Sequence, residues 1–68
     1  MFPNLEAEQA RKFHTNSFVA ENLEISKESY ENKKKTGEFM FFEIKKLLAL
    51  YNCEFDYLFA QATSAAVL

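Results

Sequence analysis

The chain predicts an all-α fold, a small bundle of five short helices, on three observations. Its 68 residues allow one domain, because a second folding unit needs roughly 50 residues of its own. Hydrophobic residues make up 49%, with eight Phe and three Tyr, which is too apolar for a disordered chain. A single Gly and a single Pro argue against turn-rich β architecture and collagen-like repeats. Cys53 is alone, so no intrachain disulfide forms, and with His14 the sole histidine there is no structural zinc set. Stability must come from packing or from a partner.

The first helix is expected from about Leu5 to Lys12, with Asn4 as N-cap after Pro3. Glu6 and Glu8 lie early and Arg11 and Lys12 late, as the helix dipole favours. Thr15 caps a second short helix over 16–23, NSFVAENL, with Val19, Ala20 and Leu23 inward and Phe18, Glu21 and Asn22 outward. Ile25 plugs the three-residue connection. Ser26 caps a third helix of about two turns, KESYENKK, that ends in a turn around Gly37. In MFFEIKKLLALYN, Phe41, Ile44, Leu47, Leu48 and Tyr51 form a stripe predicting the fourth helix. CEFDYLFA predicts the fifth, with Phe55, Leu58 and Phe59 closing the core. The domain is expected over residues 1–60, followed by a frayed or loosely helical tail over 61–68.

The net charge of −2 argues mildly against nucleic-acid binding by bulk charge. Charge is nevertheless uneven: residues 27–46 hold six lysines against four glutamates, and the remainder is acidic. No apolar run is long enough to span a membrane, and the N-terminus lacks the pattern of a secretory signal. A cytoplasmic setting is the expectation.

Two short helices joined by a three-residue turn, the second polar on its outer face, form a helix-turn-helix. With Ala20 and Leu23 before the turn, Ile25-Ser26 after it, Tyr30-Glu31-Asn32-Lys33 in the third helix and Phe55-Asp56-Tyr57-Leu58-Phe59 at the close, the chain resembles the Cro/cI-type (Xre) helix-turn-helix family of small phage and prophage regulators. The resemblance covers about residues 4–60. It implies a lambda-repressor-like domain that binds operator DNA, double-stranded and commonly through a homodimer, without a cofactor, a metal or a small-molecule substrate.

Facing away from Tyr30 on the helical wheel, Lys27, Glu28, Glu31 and Asn32 become the base-reading candidates. Lysine suits guanine, asparagine adenine, and glutamate the amino group of cytosine. Thr15 and Asn16 match positions the family uses for phosphate contact and for bracing the reading helix. Lys33, Lys34 and Lys35 are further phosphate candidates at a helix C-terminus, where cations are favoured in any case.

The chain also departs from the family. Phe13 and Glu24 stand where glycine is usual, and a non-Gly residue held at positive φ costs on the order of 1 kcal/mol. Met40 and Glu54 replace the usual hydroxyl caps of helices four and five. Phe18 and Phe42 fall on outward faces and are candidates for a dimer or partner surface. Net acidity, Glu28, Glu31 and these two Phe support an alternative: a helix-turn-helix that binds a protein partner as an antirepressor or inhibitor, or self-assembles, in place of binding DNA. No catalytic constellation emerges, since the glutamates are dispersed along helix surfaces and Cys53 has no activating partner in sequence.

Overall fold

The structure, a computed structural model, describes residues 1–61 and is all-helical within them. The five helices are α1 (Pro3–Arg11), α2 (Asn16–Leu23), α3 (Lys27–Thr36), α4 (Phe41–Tyr51) and α5 (Phe55–Leu58). The expected tail over 61–68 lies, apart from Gln61, outside the described residues.

Helix α1 begins earlier than expected. Pro3 occupies the first helical position, where its missing N–H is no loss, and Phe2 takes the cap position without a side-chain bond. Asn4 is therefore not the cap. Its Nδ2 instead donates to the Tyr57 carbonyl at 2.8 Å, tying α1 to α5. The caps of the next two helices form as the sequence suggests. Thr15 Oγ1 accepts from the Phe18 N–H and Ser26 Oγ from the Ser29 N–H, both at 3.0 Å. Helix α3 runs two residues beyond the expected 27–34, because Gly37 at φ +81° closes it with its N–H on the Lys33 carbonyl at 2.7 Å. The positive φ is what favours glycine there; a Cβ would meet only Met1 Sδ, at 2.9 Å, the end of a flexible exposed side chain that can move aside.

The core gathers Phe2, Leu5, Val19, Ala20, Leu23, Tyr30, Leu47, Tyr51 and Leu58. Ile25, Phe39, Leu48, Leu50, Cys53 and Phe59 pack around it, so Ile25 does plug the α2–α3 connection. The rings of Phe2, Phe39 and Phe59 meet at centroid distances of 5.2 to 6.1 Å, in the range favoured by edge-to-face contact.

Two expectations are corrected, one in the α4 stripe and one in α5. Phe41, at the first residue of α4, is 75% exposed, and the buried line along that helix is Glu43, Leu47 and Tyr51. Leu47 and Tyr51 are buried and Ile44 and Leu48 half-buried as expected, while Glu43 is drawn inward beside them. Its Oε1 accepts from the Met40 N–H at 2.8 Å, and Lys33 Nζ lies 3.2 Å away. Met40 itself supplies no side-chain cap, so half of a capping box operates. Helix α5 is a single turn of four residues in place of the longer CEFDYLFA helix, because Asn52 is left-handed and the chain turns at Phe59. Phe55 stays half-exposed, stacked on Phe59 at 5.3 Å, while Leu58 is fully buried.

Among the described residues three non-glycine positions hold left-handed backbone: Phe13 at φ +60°, Glu24 at +61° and Asn52 at +52°. The first two are the positions where the family resemblance leads one to expect glycine. Asparagine tolerates this region, but phenylalanine does not do so readily. Phe13 is 91% exposed, so no burial offsets its strain.

Candidate nucleic-acid interface

The α2–turn–α3 unit is built by local signals. Three residues, Glu24, Ile25 and Ser26, separate the helices. The Ile25 N–H returns to the Ala20 carbonyl at 3.0 Å, and left-handed Glu24 reverses the chain. Tyr30 and Lys34, one turn apart, are the buried line of α3, so the opposite side of that helix faces solvent.

The orientation of α3 is fixed by a buried polar network that joins three helices. The Tyr30 hydroxyl donates to Gln9 Oε1 at 2.8 Å, and Gln9 Nε2 donates to Asn16 Oδ1 at 2.9 Å and to the His14 carbonyl at 3.1 Å. Lys34 Nζ donates to the same Asn16 oxygen at 2.8 Å, pairs with Glu6 at 3.0 Å and lies 4.7 Å from the centre of the Tyr30 ring. Asn16 Nδ2 then reaches Glu31 Oε2 at 3.0 Å. Among the described residues no buried side-chain N or O lacks a partner, so burying these groups does not leave an unmade bond. The Asn16 amide, and after it Lys27 at 3.6 Å, holds the Glu31 carboxyl below the usual carboxylate range.

The expected site residues divide accordingly. Glu28, Asn32 and Lys35 are exposed on the outer face of α3, around a shallow depression that Ser26, Ser29 and Glu31 complete. Lys27, also exposed, lies on the flank of the helix one turn before Tyr30 and pairs with Glu31 at 3.6 Å. Glu31 is half-buried and held by Asn16, which makes it a bracing residue before a base reader. Thr15 is exposed at the start of α2, while its neighbour Asn16 is turned inward and braces both Lys34 and Glu31.

Two lysines leave the phosphate set. Lys34 is 8% exposed and committed to Asn16, Gln9 and Glu6. Lys33 turns toward α4, pairing with Glu43 at 3.2 Å and donating to the Glu38 carbonyl at 3.3 Å. Helical spacing sends consecutive lysines 100° apart, so a run of three cannot present one face. Only Lys35 of the run is exposed.

Gln9 was not singled out in the sequence, yet it is the hub of the network. Its signal is its spacing: four residues after Leu5, it lies on the buried face of α1 where a polar side chain needs partners. Glu43 carries the same signal, four residues before Leu47. Elsewhere, His14 is half-buried, its Nδ1 2.9 Å from the Tyr51 hydroxyl and its ring 4.3 Å from that of Phe18. Cys53 donates to the Tyr51 carbonyl at 3.2 Å, and burial pushes its thiol pKa up, away from thiolate chemistry. Among the described residues no group of three His, Cys, Asp or Glu is placed to hold a metal, and no helix is long and apolar enough to cross a membrane. Comparison with protein-family models, with curated proteins and with solved structures gave no match.

Proposed function

We propose that this chain is a small sequence-specific DNA-binding regulator of the Cro/cI (Xre) type, reading the major groove with α3. The observation that carries the reading is the division of labour along that helix. Tyr30, Glu31 and Lys34 are spent on α1 and α2, leaving Glu28, Asn32 and Lys35 on the outer face with Lys27 at its edge. A side chain that reads a base must be held in register by contacts that do not touch DNA. Asn32 has the donor and acceptor that adenine N7 and N6 require, and Lys27 suits guanine O6 and N7. Thr15, with the free N–H groups in the first turn of α2, suits a phosphate beside the groove, and Lys35 a second one.

One observation favours a second reading, a protein partner in place of DNA. With Lys33 and Lys34 turned inward, the outer face of α3 and its edge carry Lys27 and Lys35 against Glu28 and Glu31, and no net positive charge. Selection from a random duplex library, followed by anisotropy titration across a salt series, separates the two. The DNA reading expects an enriched motif and affinity that falls steeply with salt. Asn32→Ala then relaxes preference at one base position, at about 1–3 kcal/mol. Absence of duplex binding even at low salt would leave the protein-partner reading.

A further inference from the structure

The corner between α1 and α2 carries a charge and a ring that nothing within the chain uses. Residues 9–20 hold Arg11 and Lys12 and no Asp or Glu, in a chain whose net charge is −2. Arg11 pairs with Glu8 at 2.7 Å, whereas Lys12 is exposed and makes no ion pair among the described residues. Phe13 follows it, at φ +60° and 91% exposed.

The backbone is fixed on both sides of that ring. The Phe13 N–H donates to the Ala10 carbonyl and the His14 N–H to the Gln9 carbonyl, each at 3.0 Å, and Gln9 Nε2 donates to the His14 carbonyl at 3.1 Å. The His14 ring is turned inward onto Tyr51 and Phe18. A strained backbone thus holds a large apolar ring in water on a rigid corner, an arrangement that destabilises the folded state and belongs to functional sites more often than to packing.

The corner is continuous with the phosphate contact assigned to Thr15. Thr15 lies two residues after Phe13, within about 8 Å from Cα to Cα. Asn16 beside it shares a depression with Glu31, Lys34 and Lys35 of α3. A strand that meets Thr15 as it leaves the α3 face therefore passes the corner. In chain order it finds a hydroxyl, an aromatic ring and a free ammonium group, which suit a phosphate, the neighbouring deoxyribose and the next phosphate of one strand.

We infer that Lys12 and Phe13 extend the Thr15 contact into a second grip on DNA, at the flank of the site read by α3, with the Phe13 ring packed on a deoxyribose and Lys12 on the phosphate beyond it. The grip presupposes the DNA-binding reading, and it supplies a cation outside the reading helix, whose own outer face has no net positive charge. It adds affinity without base preference, because sugar and phosphate are the same in every sequence.

Hydroxyl-radical footprinting and anisotropy titration of the full chain on the duplex it selects test the grip. The wild type is expected to shield deoxyriboses outside the base pairs whose identity matters. Phe13→Asn keeps a residue that tolerates positive φ and removes the ring; it is expected to lose that flanking protection and to bind at least about fivefold more weakly, with salt slope and base preference unchanged. Phe13→Tyr keeps the ring and is expected to bind within about twofold of wild type, which separates the ring from the shape of the corner. Lys12→Ala is expected to lower the salt slope by about 0.9. Phe13→Asn with wild-type affinity and an unchanged footprint overturns the grip and leaves the DNA-binding reading standing, whereas a wild type that binds no duplex at low salt removes both.

Discussion

Lys34 Nζ lies 2.8 Å from Asn16 Oδ1, and that contact joins the two helices of the helix-turn-helix through side chains withdrawn from solvent. The amide of Asn16 donates on its other side to Glu31, so one residue at the start of α2 holds two successive turns of α3. A lysine and an asparagine that resemble solvent-facing phosphate ligands in sequence are thus parts of a brace.

Lys34→Met keeps the length of the side chain and removes its charge and donors. Asn16 and Gln9 keep their bond to each other, and Glu6 is open to water, so the expected cost is about 1–2 kcal/mol in urea unfolding. On the DNA-binding reading its affinity falls while the salt slope is unchanged. Lys35→Ala is expected to lower the slope by about 0.9 for the phosphate it neutralises, with little change in stability. Titrating both variants at four salt concentrations checks the contrast, and equal slopes for both would remove Lys35 from the interface.

Phe13→Gly is expected to stabilise the fold. At φ +60° and 91% exposed, Phe13 has backbone strain and little burial to lose. Relief of on the order of 1 kcal/mol, reduced by the freer unfolded chain that glycine gives, leaves a gain of about 0.5 kcal/mol. Thermal and urea unfolding measure it, and a lower midpoint would show that the strain at Phe13 is smaller than the entropy glycine adds to the unfolded chain.

Glu43→Ala is expected to be the costlier change. Glu43 is 1% exposed, caps the Met40 N–H and pairs with Lys33, so its removal leaves two donors short of an acceptor. The expected loss is about 2–3 kcal/mol, since Lys33 can still turn toward water. Glu43→Gln keeps an acceptor for the cap and is expected to recover part of that loss in the same unfolding measurement.

Alkaline pH is expected to unfold the chain through its buried tyrosines. Burial pushes the Tyr51 hydroxyl up to about 12 and that of Tyr30 further still, against an ordinary value near 10. Their contribution is fully present below about pH 10, where both states are protonated. Above it the unfolded chain loses protons first, and stability declines as pH rises through about 12. Helical content by circular dichroism should fall together with the rise in tyrosinate absorbance, and Tyr51→Phe should flatten the decline. Tyrosinate formed by Tyr30 and Tyr51 in a chain that stays helical would contradict the burial argument.

Much of the fold was legible because its signals are local. Thr15 and Ser26 announce helix starts through side-chain oxygens that reach N–H groups three residues on, and the inward set Val19, Ala20 and Leu23 follows from helical period alone. Positive φ at Phe13 and Glu24 was expected only through the family resemblance, not from a local signal, and both positions take it. The exposure of Phe41 and the burial of Glu43 were not legible. Phe41 looks like a core residue by hydrophobicity, but Glu43 is pulled inward by Lys33, which lies on another helix and appears in no local pattern.

Sequence alone determined the all-α class, the caps at Thr15 and Ser26, the three-residue turn and the outward positions of Phe18, Asn32 and Phe42, because each depends on residues within a turn or two of one another. Tertiary structure decided which members of the Lys33-Lys34-Lys35 run remain exposed. Gln9, Asn16, Glu6 and Glu43 come from three other helices, and their oxygens offer two of the lysines partners within the fold. Desolvating an ammonium group is tolerated only where such partners converge, and that convergence exists only once the helices have packed.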